Sequence, residues 1–223
     1  MQRQVLMDKL SEFLMVEQGG LELYRVAAAR CTDPTLQQRY VEFGNETAHH
    51  REVLVQLIQR LGGEPSYVSP TARLAQVKAK SLLEAALVVD GLSQQEIEAN
   101  DLENLLLAET KDHADWHLLT ILADQVDDQE TKQALQEVVE TVEAQEDQHL
   151  GWARDTLAQL ALQMVTTGPA PDPDRAVLVT SGPQPPIAEI HPAPLDGDLL
   201  LEAATRPMWI AAPAVRALAA GSS

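Results

Sequence analysis

Apolar residues recur at helical spacing through most of the chain before residue 168, and turn signals separate the runs. The first run extends from about Gln4 to Cys31 and stops at Thr32-Asp33-Pro34. The second extends from Thr35 to Leu61 and stops at Gly62-Gly63. Because the link between these runs is short, the second helix is expected to return antiparallel to the first.

The remaining runs predict three further helices. An Ala-rich segment over 71–90 follows Ser69-Pro70, where Ser can cap a helix and Pro suits its first position. Two longer patterns follow, from about Ser93 to Val126 and from about Glu130 to Thr166, with a polar turn between them. Short first and last links with a long helical connection in the middle indicate a bundle with one crossover, rather than an up-down-up-down bundle.

The composition changes sharply beyond Gly168, where a Pro-rich stretch begins that cannot sustain a helix or a sheet. We therefore predict a helical domain over 1–167 and a Pro-rich, largely disordered tail over 168–223. The last segment, from Leu199 to Ala220, is apolar but is interrupted by Pro207 and Pro213. It is interpreted either as a loosely attached tail or as a short segment that docks on a partner.

Composition limits the classes of function. The formal charge of −18 repels phosphate backbones and anionic membranes, and the 16 Lys and Arg residues are scattered, so no nucleic-acid or membrane partner is expected. The single cysteine, Cys31, excludes an intrachain disulfide and a four-cysteine iron centre. The N-terminal residues lack the unbroken apolar run of a signal peptide. A cytoplasmic location is expected.

Two Glu-x-x-His motifs are the strongest signal of chemistry. They are Glu46 with His49 in the second helix and Glu146 with His149 in the last one. Positions three apart lie on one helical face, so each motif can direct a carboxylate and an imidazole at one place. The other two long helices each carry a Glu seven residues before a large aromatic residue. These single acids are Glu17, before Tyr24, and Glu109, before Trp116.

Four carboxylates inside a helical bundle require compensating cations, because a lone buried anion costs several kcal/mol or more and like charges add to that cost. Two divalent metal ions would balance four Glu residues. Mixed oxygen and nitrogen ligands suit iron, with manganese as the alternative, better than a thiolate-type zinc site. The pattern therefore predicts a two-metal site.

The segments VEQGGLELYRVAAA, NETAHHREVLVQLIQRLGGEP, LLLAETKDHADWHLL and EAQEDQHLGWARDTL resemble the metal-bearing helices of the ferritin-like superfamily, near rubrerythrin and bacterioferritin. This resemblance implies an all-α, ferritin-like four-helix bundle with a long helical crossover between the second and third bundle helices. It also implies a di-iron site whose six ligands follow the pattern of di-iron carboxylate bundles. The implied ligands are Glu17, Glu46, His49, Glu109, Glu146 and His149.

The same resemblance bears on cofactors and on further ligands. Thr47 stands where bacterioferritins carry their haem-binding Met, so no haem is expected. Asp112 is interpreted either as an additional ligand or as a solvated surface acid. His113 is interpreted as a core residue or as a partner of a ligand, with direct metal binding as the alternative. Tyr24 and Trp116 are expected to be packing residues.

The function implied is that of an oxidoreductase that oxidises ferrous iron with O2 or H2O2, in iron and oxidative-stress handling. Because the chain has no internal electron-transfer centre of the rubredoxin type, any reductant must be external. Two alternatives stay open. One is a di-iron oxygenase that acts on an organic substrate, and the other is a non-catalytic interaction protein stabilised by its metals. A homo-oligomer is compatible with any of the three.

Overall fold

A computed structural model describes residues 3–167, and the predicted tail over 168–223 lies outside these described residues. The helices confirm the all-helical prediction, and no strand occurs among residues 3–167. The structure has five helices in this range, and their bounds are close to those expected from the sequence. They are α1 (Arg3–Arg30), α2 (Pro34–Arg60), α3 (Pro70–Ala86), α4 (Gln94–Gln125) and α5 (Gln129–Thr167).

The turn between α1 and α2 is set by local chemistry. The Asp33 side chain caps α2 by accepting hydrogen bonds from the backbone N–H groups of Thr35 and Leu36, at 2.7 and 3.1 Å. Pro34 occupies the first helical position, where no N–H is needed. At the other end of α2, Gly62 adopts a positive φ of 71°, which an L side chain rarely tolerates. Both ends of α2 are therefore specified by the sequence.

The starts of α3 and α4 are capped in the same manner. The Ser69 hydroxyl accepts a hydrogen bond from the backbone of Ala72 at 3.0 Å, and it donates one to the Asp8 carbonyl of α1 at 2.9 Å. Ser93 and Glu96 form a reciprocal capping box at the start of α4. Ser69 therefore caps α3 and also fixes its start against α1.

Small residues let α3 approach α1 closely. The buried face of α3 consists largely of alanines. Gly19 of α1 lies opposite Ala79, so near that a Cβ built on the glycine would come within 2.5 Å of the alanine Cβ. The crossover helix therefore packs onto the bundle through a contact that excludes a larger residue at position 19.

The four long helices enclose two apolar clusters, one toward each end. Helix α1 packs against α2, α3 and α4, and α5 packs against α4 and α2. The cluster at the start of α1 includes Leu6, Leu10, Phe13, Leu54, Leu57, Leu119, Leu135 and Val142. The cluster at the end of α1 includes Leu23, Tyr24, Ala27, Tyr40, Phe43, Leu102 and Leu105. None of the helices within residues 3–167 has the length and hydropathy to cross a membrane.

Candidate metal centre

Between the two apolar clusters, the bundle interior is polar. Each of the four long helices contributes at least one buried ionisable side chain to this middle layer, which we call the carboxylate centre. Its members are exposed by at most 4% of their surface. They are Glu17 of α1, His50 of α2, Glu109 and Asp112 of α4, and Glu146 and His149 of α5.

The inward direction of His50 follows from the periodicity of α2. Buried residues recur along this helix at alternating spacings of four and three, which is the pattern of a helix face packed against other helices. The imidazole belongs to that stripe, between an aromatic residue on one side and leucines on the other. The stripe is Phe43, Thr47, His50, Leu54 and Leu57.

The same register places the α5 residues in the centre. Val139, Val142, Glu146, His149 and Ala153 are all buried and follow the alternating spacing. In α1 and α4, the acids Glu17 and Glu109 lie in equivalent stripes between the two clusters. Apolar packing above and below therefore forces these side chains together, although each alone would prefer water.

Each imidazole faces an acid of a neighbouring helix. His50 of α2 faces α1, and His149 of α5 faces α4. His50 Nδ1 lies 3.9 Å from Glu17 Oε1, and His149 Nδ1 lies 3.6 Å from Glu109 Oε2. Glu146 lies between the two, because its Oε1 is 2.7 Å from His50 Nδ1 and 3.9 Å from His149 Nδ1. The arrangement has two acid–imidazole pairs that share one central carboxylate.

Two groups of donor atoms are close enough to hold a metal ion. The donor atoms of His50, Glu146 and His149 lie within 4.8 Å of one another, as do those of Glu17, Asp112 and Glu146. Glu146 belongs to both groups. A carboxylate with this placement is suited to bridge two cations.

Many donor atoms of the centre have no hydrogen-bond partner among the described residues, although they are buried. These atoms are Oε2 of Glu17, Oε2 of Glu109, Oδ1 of Asp112, Oε2 of Glu146 and Nδ1 of His149. Nδ1 of His50 and Oε1 of Glu146 lie 2.7 Å apart and pair with each other. No Lys or Arg in the described part of the chain forms an ion pair with any of the four acids. Buried polar atoms ordinarily have hydrogen-bond partners, so this set of unpaired oxygen and nitrogen donors has the composition of a cation site.

Burial and mutual repulsion raise the pKa values of three carboxyl groups in the centre. Burial raises the pKa of Glu17 well above its usual range, and the charge of Glu146 adds to that rise, while a hydrogen bond from Trp116 opposes it. Burial and the charges of the neighbouring acids also raise the pKa of Asp112 well above normal. Burial raises the pKa of Glu146 too, against the opposing effect of His50. The acids therefore hold protons readily unless a cation replaces them.

The pKa of His149 is raised as well, although burial acts against this rise. Burial alone would lower its pKa, but the hydrogen bond and charge of Glu109 and the hydrogen bond to Glu46 together raise the pKa to about 9. The phenol of Tyr24 is buried beside the same acid, and burial followed by the Glu109 charge raises its pKa well above normal. A positive charge at the position of the imidazole is thus strongly favoured by its surroundings.

Three side chains around the centre hold its members in place. The indole Nε1 of Trp116 donates a buried hydrogen bond of 2.9 Å to Glu17 Oε1. His50 Nε2 lies 2.9 Å from Gln145 Oε1. His149 Nε2 lies 2.7 Å from Glu46 Oε2. In both imidazoles, Nε2 is engaged outward and Nδ1 faces the carboxylates.

The structure places two of the six predicted ligands outside the carboxylate centre. His49 is exposed and points away from the carboxylate centre, and His50 occupies the inward position. Glu46 lies at the edge of the centre with 28% of its side chain exposed, and its carboxylate contacts the outer nitrogen of His149. The other four predicted ligands, Glu17, Glu109, Glu146 and His149, come together in the centre.

The two additional candidate ligands, Asp112 and His113, lie in different environments. Asp112 is buried among the acids, so its interpretation as a solvated surface acid is wrong. His113 is partly exposed and pairs with Asp147 at 2.8 Å, away from the centre. Sequence reasoning missed His50 and Gln145. The buried stripe of α2 would have identified His50, since position 50 continues the spacing of Phe43 and Leu54 and position 49 does not.

Comparison with known proteins gives a family and nothing finer. A family described as a domain of unknown function, DUF892, matches residues 1–163. This match spans most of the chain, and the chain belongs to that family. No curated protein and no solved structure matches it.

Proposed function

We propose that this member of the DUF892 family is a ferritin-like four-helix bundle that binds two divalent metal ions in the carboxylate centre and oxidises ferrous iron. One observation carries the proposal. Four buried acids and two buried imidazoles converge in one layer of the core, and at least one oxygen of each acid lacks a hydrogen-bond partner among the described residues. Two divalent cations would supply the missing partners and balance the four negative charges.

The residues fit such a pair of ions in number and type. Glu17 and His50 would hold one ion, and Glu109 and His149 the other, because the members of each pair lie 3.9 and 3.6 Å apart. Glu146 Oε1 lies 2.7 Å from His50 Nδ1 and 3.9 Å from His149 Nδ1, so this carboxylate would be shared by the two ions. Oxygen and imidazole ligands without thiolates suit iron or manganese.

The side chains would also manage protons when metal binds. Since the pKa values of Glu17 and Asp112 are raised, these carboxyls would release protons as cations enter. His149 would release the proton on Nδ1 and keep the one on Nε2, which Glu46 accepts. Ferrous iron is the substrate. Two Fe²⁺ ions would each give one electron to O2, which takes up two protons to form H2O2, or to H2O2, which takes up two protons to form two molecules of water.

Crossover topology supports the ferritin-like assignment. Helix α3 connects α2 to α4 and packs on both α1 and α4, so the bundle has one long connection and two short ones. An oxygenase would need an apolar cavity beside the metals. Two cavities that described residues line, of about 460 and 520 Å³, both lie near Arg3 and Met7 and include no member of the carboxylate centre. They therefore give no support to the oxygenase alternative.

The test is an anaerobic titration with Fe²⁺ followed by exposure to air. We expect two ions per chain and an oxidation rate above that of buffer, measured by stopped-flow absorbance of the ferric product. Glu17→Ala and His149→Ala should each suppress the rate, because each removes a ligand from one ion. His49→Ala is the matched control, since its imidazole is exposed. Binding of two ions without accelerated oxidation would favour the non-catalytic alternative, and failure to bind any would refute the metal centre.

A further inference from the structure

The Nε2 atoms of the two imidazoles, which face away from the carboxylates, each contact a side chain of the other imidazole's helix. On α2, Glu46 precedes His50 by four residues, and on α5, Gln145 precedes His149 by four residues. Each outer residue contacts the imidazole of the other helix. Glu46 Oε2 lies 2.7 Å from His149 Nε2, and Gln145 Oε1 lies 2.9 Å from His50 Nε2. The two contacts occupy equivalent places but differ in charge.

These contacts decide which ring nitrogen can bind a metal. A carboxylate oxygen or an amide oxygen can only accept a hydrogen bond, so Nε2 of each ring carries the hydrogen. Nδ1 is then the nitrogen that can release its proton and offer a lone pair to a metal, and it is the atom that faces the carboxylates, at 2.7 Å from Glu146 for His50 and 3.6 Å from Glu109 for His149. Glu46 and Gln145 thus orient both rings for coordination through Nδ1.

We propose that Glu46 and Gln145 are positioning residues that make the two metal positions unequal in affinity, with the tighter ion beside His149. The inference rests on the proposed function, because it concerns the same two ions. An N–H group that donates to an ionised carboxylate forms a shorter and stronger hydrogen bond than one that donates to a neutral amide. It also makes the opposite ring nitrogen a better metal ligand.

The local structure supports separate roles for these residues and the ligands. The Glu46 side chain is 28% exposed, whereas the His149 ring that it contacts is fully buried. Glu46 contacts His149 at Nε2, on the outer side of the ring, whereas Glu109 and Glu146 face Nδ1. A carboxylate at the edge of the bundle therefore acts on the metal through the buried ring.

The test is calorimetric titration of the full chain with Co²⁺, a divalent probe that does not turn over in air. For the wild-type protein, we expect two ions with resolved affinities. Glu46→Gln should weaken the tighter site by about 10–100-fold and bring the two affinities together. Gln145→Glu should tighten the weaker site. The double swap, Glu46→Gln with Gln145→Glu, keeps the net charge and should restore two unequal affinities.

Glu42→Gln is the matched control, because it removes the same charge one turn earlier on α2, where the carboxylate is exposed and pairs with Arg39. It should leave both affinities within about twofold. Two equal sites in the wild type would overturn the inference, and so would a Glu46→Gln variant that matches Glu42→Gln. If the wild-type protein bound fewer than two Co²⁺ ions, the proposed function itself would fail, which is a different result.

Discussion

The α1–α2 half and the α4–α5 half of the carboxylate centre share a register but differ in their side chains. Each half supplies one acid and one imidazole, Glu17 with His50 and Glu109 with His149. Three residues after the single acid, however, the first half has Gly20 and the second has Asp112.

The same difference recurs on the other helix of each half. Three residues before the imidazole, α2 has Thr47, whereas α5 has Glu146. The second half therefore contributes three carboxylates to the carboxylate centre, and the first half contributes Glu17 alone. The common skeleton comes from helix packing, and the unequal chemistry comes from the residues at these two positions.

The largest expected effect comes from removing the shared carboxylate. Glu146→Gln should abolish binding of the second ion and weaken the affinity for the first by more than about 100-fold, because Glu146 belongs to both groups of donor atoms. This effect exceeds the loss of about 10–100-fold that is expected when an outer hydrogen-bond partner of a ligand is removed. Thr47→Val, at the equivalent place in α2, should leave two ions bound. Metal analysis after anaerobic loading and desalting measures both. Retention of two tightly bound ions by Glu146→Gln would show that the halves do not depend on a shared acid.

The next effect separates the adjacent histidines of α2. His50→Ala should remove one ion, because its Nδ1 is the nitrogen donor of the first half. His49→Ala should retain both ions, because this side chain is exposed. Stoichiometry by calorimetry, with helicity checked by circular dichroism, distinguishes the two variants. The opposite pattern would restore the Glu46–His49 pair that the sequence motif suggested.

Metal-depleted protein should lose stability as pH rises. His149 has a pKa raised to about 9 from an ordinary value near 6.5, so its stabilising contribution is present below about pH 6.5 and is lost as pH rises through about 9. This contribution is on the order of 3 kcal/mol in the free energy of unfolding. The raised pKa values of Glu17 and Asp112 act in the same direction, because the folded state holds protons that the unfolded state releases.

Urea unfolding of metal-depleted protein at pH 6 and pH 9 measures this trend, and metal-loaded protein serves as the comparison. Loaded protein should show a weaker dependence, since cations replace the protons. Greater stability of the metal-depleted form at pH 9 than at pH 6 would mean that the acids and His149 do not interact as the distances indicate.

The smallest effects concern two neighbouring glycines of α1. Gly20→Ala, at the place that Asp112 occupies in the other half, should stabilise the helix by about 0.5–1 kcal/mol, because the new Cβ would lie 3.7 Å from its nearest neighbour, Thr47 Cγ2. Gly19→Ala should destabilise by about 1–3 kcal/mol, because its Cβ would come within 2.5 Å of Ala79 Cβ. Thermal unfolding compares them. Equal melting temperatures would indicate that α3 moves away from α1 without cost.

The sequence by itself determined the five helices and four of the acids and imidazoles that meet in the carboxylate centre. Asp33, Ser69 and Ser93 cap helices where the pattern predicted their starts, because a cap needs only neighbours within a few residues. Four of the six predicted ligands also lie in the centre, since their positions continue the apolar stripes of their helices. Whether these residues bind iron remains a prediction.

The tertiary structure decided which side chain of each helix faces the others. A shift of one residue rotates a side chain by about 100° around the helix axis, so the choice between His49 and His50 depends on how α2 packs in the bundle rather than on the spacing within one motif. It also decided that Glu46 contacts the ring of His149 and that Gln145 contacts the ring of His50. Such contacts join residues that are far apart in sequence, and only the packing of α2 against α5 brings them within hydrogen-bond distance.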